Sequence, residues 1–342
     1  MSSKLLEKLS PPTDAEELDK ELGSCDDLDS LPSTMMFNGR LVMIKEDGYS
    51  PSQPNKGEVV FEEEDESSDV DELDFPVDSI SRGFSISKLS QDLRPKVRFE
   101  IVSTRVCEEG RNKYVLYSIM VVKTDGLDSD KAVVERRYSE FTNLCKELKK
   151  VCPELISKVR LPKKVYGSKN FDGEVIQSRC RAFEKFLSYI YTNDSVRNAT
   201  AFKEFFYLPD LRQACSDIRG GKWTDSLRLL TNSLHLQQKL GDGIPEIVAT
   251  LGSMVVAYDK IARFKEAEQY AEAALELIGS NVSSSYLIPL LNTRIELCWR
   301  LGKEKKDAEK RLATVQKISG IEVEHAFTLR ELAVHRYSDV FD

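Results

Sequence analysis

Histidine is scarce in this 342-residue chain, which has only three, at positions 235, 325 and 335. The sequence also has no nucleophile elbow, no glycine-rich phosphate loop and no cysteine and histidine spacing typical of metal sites. These absences remove the common sources of general bases, nucleophiles and metal ligands. We therefore expect no enzymatic activity, no bound metal and no cofactor.

Paired cysteines and long apolar runs are absent as well. The seven cysteines are scattered, odd in number and without a CxxC pair, which argues against a disulfide framework and indicates a reducing compartment. No signal peptide and no apolar run near the length of a membrane span is apparent. We therefore expect a cytosolic protein.

Charge is distributed unevenly along the chain, whose net charge is -8. Residues 1–95 carry 9 Lys and Arg against 23 Asp and Glu, a net charge of -14. Residues 96–210 carry 22 against 16, or +6, and residues 211–342 carry 18 against 18, or zero. We call these segments the acidic head, the basic middle and the neutral tail, and predict that they are three separate units.

The acidic head is rich in proline and contains the acidic run at residues 62–66. It has few aromatic residues and no persistent hydrophobic period, so it cannot bury enough apolar surface to offset its ordering entropy. We therefore predict that residues 1–95 are disordered.

The basic middle has too modest a charge, and no aromatic stacking platform, to indicate a nucleic-acid partner.

The basic middle alternates strand-like and helix-like patterns, which predicts an α+β fold with a three-stranded antiparallel meander. The predicted strands cover residues 97–101, 113–123 and 131–137. The predicted helices cover residues 139–151, 173–191 and 195–206. Ser139 is the expected cap of the first helix.

Arg136, Arg137 and Tyr138 stand where the third strand meets the first helix. Arginine presents a planar fork that can hold phosphate in a bidentate way, and tyrosine presents a flat apolar face. The stretch can therefore form a pocket for an anionic ring. The alternative is that both arginines are simply solvated.

An irregular, lysine-rich loop at residues 161–173 carries Val165, Tyr166 and Phe171 without a helical period. Basic and apolar residues mixed in this way suit contact with an anionic membrane. Alternatively, the aromatic side chains pack back on their own domain. The sequence leaves both interpretations open.

In this combination, residues 96–210 resemble the phox-homology (PX) domain. Three motifs carry the resemblance: Arg-Arg-Tyr-x-x-Phe at residues 136–141, Leu-Pro-x-Lys at 161–164, and Arg179 followed seven residues later by Phe186. PX domains bind phosphoinositides, most often phosphatidylinositol 3-phosphate on endosomes. The resemblance therefore implies this lipid as ligand.

The resemblance also implies a role for each residue of a lipid site. Arg137 matches the arginine that grips the 3-phosphate, and Tyr138 the aromatic residue that packs on the inositol ring. Lys164 matches the lysine at the 1-phosphate, and Arg179 the arginine that hydrogen-bonds the 4- and 5-hydroxyls. A slip in register would exchange these residues for the near matches Arg136, Lys163 and Arg181.

The neutral tail has helical composition and repeats with a period of 41 residues, in which Trp223, Phe264 and Lys305 correspond. Such a repeat predicts stacked helical hairpins, and the local pattern resembles tetratricopeptide (TPR) repeats. A PX domain followed by such a tail is similar to the PXB subfamily of sorting nexins. This similarity implies that residues 211–342 bind a protein cargo or receptor tail.

We thus expect a cytoplasmic adaptor that attaches peripherally to early endosome membranes through the basic middle and recruits protein through the neutral tail. The alternative is a helical-repeat scaffold whose PX domain is degenerate and serves protein contacts.

The charge of the acidic head generates a first prediction. Deleting residues 1–90 should strengthen binding to anionic liposomes at low salt, because a strongly negative segment repels the surface or covers the basic middle. At high salt the effect should shrink, since screening weakens both interactions. Liposome co-sedimentation of the full and shortened chains measures this, and equal binding at low salt would contradict it.

Overall fold

The computed structural model describes residues 96–110, 112–124, 128, 130, 132–320 and 326–337. The predicted disorder of residues 1–95 lies outside the described residues. The strands are β1 (Val97–Glu109), β2 (Asn112–Lys123) and β3 (Val133–Arg137). The helices of the basic middle are α1 (Tyr138–Val151), α2 (Pro153–Ser157), α3 (Gly173–Tyr191), α4 (Asp194–Arg197) and α5 (Thr200–Phe206). The helices that follow are α6 (Leu208–Arg219), α7 (Trp223–Leu240), α8 (Ile244–Lys260), α9 (Phe264–Ile278), α10 (Leu287–Leu301), α11 (Lys306–Ser319) and α12 (Leu329–His335).

The three strands form one antiparallel sheet in the order β1-β2-β3, which confirms the predicted meander. A register shift between Ile101 and Ser103 interrupts the β1–β2 pairing. Every second residue of β2 from Val115 to Val121 is buried, as alternation requires. This buried face carries the core on which the helices pack.

The first helix begins one residue earlier than predicted, and its cap is different. Arg137 is the N-cap residue, and its backbone N–H donates to the Glu140 carboxylate at 2.8 Å. Ser139 therefore lies inside the first turn and is not the cap. The prediction was wrong because the chain turns into the helix directly after Arg137, where the Glu140 carboxylate accepts the N–H of the cap residue.

Aromatic rings join the sheet to α1 and α3. The Phe141 and Phe183 rings stack with centroids 3.7 Å apart, and Tyr117 meets Phe183 edge-on at 5.1 Å. Helix α3 has the predicted bounds, and the Asp172 side chain caps it by accepting the Glu174 N–H. The helix predicted at residues 195–206 is instead two short helices, α4 and α5.

The later helices pack in sequence as antiparallel neighbours, α6 with α7, α8 with α9, and α10 with α11. The aligned repeat positions Trp223 and Phe264 are the first residues of α7 and α9, and Lys305 is the N-cap of α11. The small residues three positions later, Ser226, Ala267 and Ala308, are buried. The 41-residue period therefore marks equivalent helix starts, where a small side chain lets helices approach closely.

The first of these hairpins is bound to the sheet through α7. The buried Lys239 ammonium donates to the Asp128 carboxylate at 2.8 Å, to the Val121 carbonyl at 3.0 Å and to the Asp130 carbonyl. The Asn232 amide accepts from the Val133 N–H and donates to its carbonyl.

The expected boundary at residues 210 and 211 falls inside α6.

Within the described ranges, no helix combines the length and the apolar character needed to cross a membrane.

Lys239 provides a test of this attachment. Replacing Lys239 with Met should lower the free energy of unfolding by about 3 kcal/mol, because it leaves the Asp128 carboxylate partly buried without its counter-ion. The exposed Lys260 on the next helix is the matched control, and Lys260→Met should change stability by less than about 0.5 kcal/mol. Urea unfolding measures both, and equal effects would refute the stabilising role of Lys239.

Candidate functional site

The two arginines at the end of β3 have different environments. The Arg136 side chain is 13% exposed; its Nε donates to the Phe205 carbonyl at 2.6 Å and its Nη1 to the Glu135 carbonyl at 2.8 Å. Burial lowers the pKa of Arg136, although the nearby Glu140 carboxylate opposes this. Arg136 therefore fastens β3 to α5 and is not available to a ligand in this arrangement.

The Arg137 side chain is exposed and points to the opposite face of the sheet from Arg136, as strand alternation requires. Its guanidinium lies 5.6 Å from the centroid of the Tyr114 ring on β2. Among the described residues it makes no ion pair, so its full charge remains available. Of the two neighbours, Arg137 is the one that can meet an anion from solvent.

Tyr138, the first residue of α1, connects the strand end to the loop and to α3. Its hydroxyl donates to the Pro162 carbonyl at 2.6 Å, and its ring lies beside Phe183. The Arg179 guanidinium lies over the same ring, 4.6 Å from its centroid. Burial raises the pKa of the Tyr138 hydroxyl, and the Arg179 charge opposes this shift.

Arg179 projects from α3 and is buried, with 2% of its surface exposed. Its Nη1 donates to the Asn170 side-chain oxygen at 2.6 Å, while Nε and Nη2 have no hydrogen-bond partner. The Tyr117 hydroxyl is also buried, beside the Arg179 guanidinium. Burial raises the pKa of this hydroxyl, and the neighbouring Arg179 charge opposes the shift.

Lys164 is exposed on the loop between α2 and α3, and its ammonium lies 5.0 Å from the centroid of the Tyr166 ring. Four other basic side chains of this region are also exposed and make no ion pair with any described residue. These are Lys158, Arg160, Lys163 and Lys169. We call them, together with Lys164, the basic loop cluster.

The three apolar side chains expected at the membrane differ in exposure. Tyr166 is 66% exposed, and Val165 is half-buried. Phe171 is partly buried against the hydrophobic core, with the Lys113 ammonium 5.6 Å from its ring centroid. Tyr166 is therefore the aromatic side chain that the loop presents to solvent.

Among the four residues expected to bind lipid, Tyr138 and Arg179 are in direct contact. Arg137 adjoins Tyr138 in the chain, and Lys164 lies two residues after Pro162, whose carbonyl Tyr138 holds. The near match Arg181 is exposed. Asn170 and Tyr117 could not be identified from the sequence, since neither belongs to a motif and both reach Arg179 only through the fold.

Comparisons with known proteins identify the family. The family model described as "PX domain" matches residues 125–208. Sorting nexin-20 of Bos taurus is 37% identical over 244 residues, covering 71% of this chain and 76% of that protein. Human sorting nexin-21 is 32% identical over 246 residues, covering 71% and 65%. The chain belongs to the sorting nexin family.

Among solved structures, a designed CISK-PX domain is 31% identical and covers 32% of this sorting nexin and 97% of that chain, with a TM-score of 0.28. The crystal structure of the mouse SNX19 PX domain with bound sulphate ion is 24% identical and covers 33% and 97%, also with a TM-score of 0.28.

Membership of this family implies a trafficking role in which the PX domain binds phosphoinositides. Sorting nexins are peripheral membrane proteins of endosomal trafficking and act as adaptors. The described geometry is consistent with that role, since an exposed arginine at the end of β3 directly precedes a tyrosine whose ring contacts a buried arginine.

Proposed function

We propose that Arg137, Tyr138, Lys164 and Arg179 form a pocket for phosphatidylinositol 3-phosphate, through which this sorting nexin docks on early endosomes. The observation that carries the proposal is that the cations around Tyr138 have no carboxylate partner among the described residues. Neither Arg137, Lys164 nor Arg179 forms an ion pair with a described residue, and Arg179 is buried. Burying a charge without an ion-pair partner costs free energy. Such a charge therefore points to a site where a ligand supplies the opposite charge.

Each residue has a part that its position supports. The exposed Arg137 fork suits bidentate contact with the 3-phosphate, and Lys164 suits the 1-phosphate as a mobile point charge. The Tyr138 ring offers a flat face for the inositol ring. Arg179, whose guanidinium lies over the Tyr138 ring, would donate hydrogen bonds to the 4- and 5-hydroxyls of the inositol ring.

The loop adds a second, less specific contact with the bilayer. The exposed ring of Tyr166, beside Val165, would enter the lipid interface, and the basic loop cluster would attract anionic headgroups. Phe171 would anchor the loop to the domain, since its side chain packs against the hydrophobic core. A single headgroup contact and a surface contact act together, so the combined affinity exceeds either alone.

We further propose that residues 211–342 are a TPR-like module that recruits a protein cargo or receptor tail. Stacked hairpins of this kind offer extended surfaces to partners. Trp299 on α10 is 73% exposed and Phe327, before α12, is 67% exposed. Large exposed aromatic side chains of this kind are suited to anchoring a partner.

Arg137 is the residue that tests the lipid pocket. In liposome flotation, Arg137→Ala should weaken binding to phosphatidylinositol 3-phosphate by about 10- to 100-fold, because charge-assisted hydrogen bonds contribute about 1.5–3 kcal/mol. Arg181→Ala is the matched control, since Arg181 is exposed on α3 and should matter little. Unchanged flotation of Arg137→Ala, or no flotation of the wild type with any phosphoinositide, would favour the protein scaffold.

Tyr166 separates the membrane contact from the headgroup contact. Tyr166→Ser should weaken binding to liposomes several-fold while leaving the affinity for a soluble short-chain phosphatidylinositol 3-phosphate unchanged. Tyr189→Ser, at an exposed tyrosine of α3, should alter neither. If Tyr166→Ser weakens soluble-lipid binding as much as liposome binding, Tyr166 contacts the headgroup and the proposed insertion is wrong.

A further inference from the structure

The hydrogen bonds of Arg179 are divided between two sides of its guanidinium. Nη1 donates to Asn170 at 2.6 Å, which satisfies one side. Nε and Nη2, which together form the other side, have no partner and are inaccessible to solvent. Two parallel donors on one edge of arginine match two adjacent oxygen atoms of a ligand. The free edge is thus suited to a pair of neighbouring hydroxyls or to a phosphate.

The partner on the satisfied side is a neutral amide. A carboxylate at position 170 would form a buried ion pair with Arg179 and cancel the charge that draws a phosphoinositide. The Asn170 oxygen instead fixes the guanidinium without neutralising it. The Tyr138 ring, 4.6 Å away, limits the remaining freedom of the guanidinium plane.

We propose that Asn170 is a positioning residue for the lipid site: it holds the Arg179 guanidinium across Tyr138 so that the Nε and Nη2 edge meets two adjacent oxygen atoms of the inositol ring. The inference rests on the proposed function of the pocket. Asn170 lies in the 3-10 turn Gly167–Phe171, whose Gly167 has a φ of 68°. The loop therefore carries both a lipid-binding lysine, Lys164, and the support of the opposite arginine.

The covered edge of Arg179 also has a consequence for binding. Because Nε and Nη2 have no accessible surface, covering side chains must move before a ligand reaches them. The bond to Asn170 is made to the other side of the guanidinium and is retained during this movement.

The test uses the full chain and calorimetric titration with soluble short-chain phosphatidylinositol 3-phosphate. Asn170→Ala should weaken binding by about five- to tenfold, the effect of one hydrogen bond of about 1–1.5 kcal/mol. Asn170→Asp keeps the hydrogen bond but adds a charge, and it should weaken binding at least as much. Asn143→Ala, at an exposed position of α1, is the matched control and should bind like wild type.

A double-mutant cycle shows whether Asn170 acts through Arg179. In an Arg179→Lys background, which keeps the charge but removes the fork, Asn170→Ala should cause no further loss. In an Arg137→Lys background it should cause its full loss. A general disturbance of the loop would weaken binding in both backgrounds, and that result would overturn the inference.

The outcomes also separate this inference from the function on which it rests. If the wild type binds no phosphoinositide, the proposed function fails. If the wild type binds and either Asn170→Ala or Asn170→Asp binds equally well, only the positioning role of Asn170 fails.

Discussion

Tyr138 holds the site together through two contacts made by one side chain. Its hydroxyl donates to the Pro162 carbonyl and so fixes the start of the basic loop, while its ring supports the Arg179 guanidinium. Tyr138 is also the first residue of α1 and directly follows the end of β3. This one residue therefore links the strand end, the loop and α3. The separate motifs of the sequence converge because this tyrosine is both a hydrogen-bond donor and an apolar platform.

The attachment of the neutral tail gives the end of β3 a fixed relation to the helices α6 and α7. Lys239 of α7 reaches three acceptors around the loop between β2 and β3, and Asn232 pairs with the Val133 backbone. Bonds to backbone groups at both ends of this loop leave little freedom for α7 to pivot on the sheet. If α6 and α7 bind a protein as proposed, that protein is held in a defined orientation to the proposed lipid site.

The sequence predicted most of this architecture but not the contacts that complete it. The sheet and α3 follow from alternation and helical period, which are local properties. The cap of α1 is Arg137 and not the predicted Ser139, because a local pattern of oxygen acceptors does not show at which residue the backbone turns from strand to helix. The burial of Lys239 was also beyond prediction, because its acceptors lie 109 to 118 residues earlier in the chain.

Exposed and buried cations contribute differently to recognition. Apart from Lys164, the basic loop cluster lies in water outside the proposed pocket, where salt screens its attraction to a membrane and where it distinguishes poorly between anionic lipids. Arg179 is shielded from that screening, and in the proposed site its Nε and Nη2 edge would donate only to oxygen atoms at the right separation. If the proposed site is correct, selectivity depends on the buried arginine and the residues that orient it, whereas the exposed cations set how fast and how strongly the protein associates with charged surfaces.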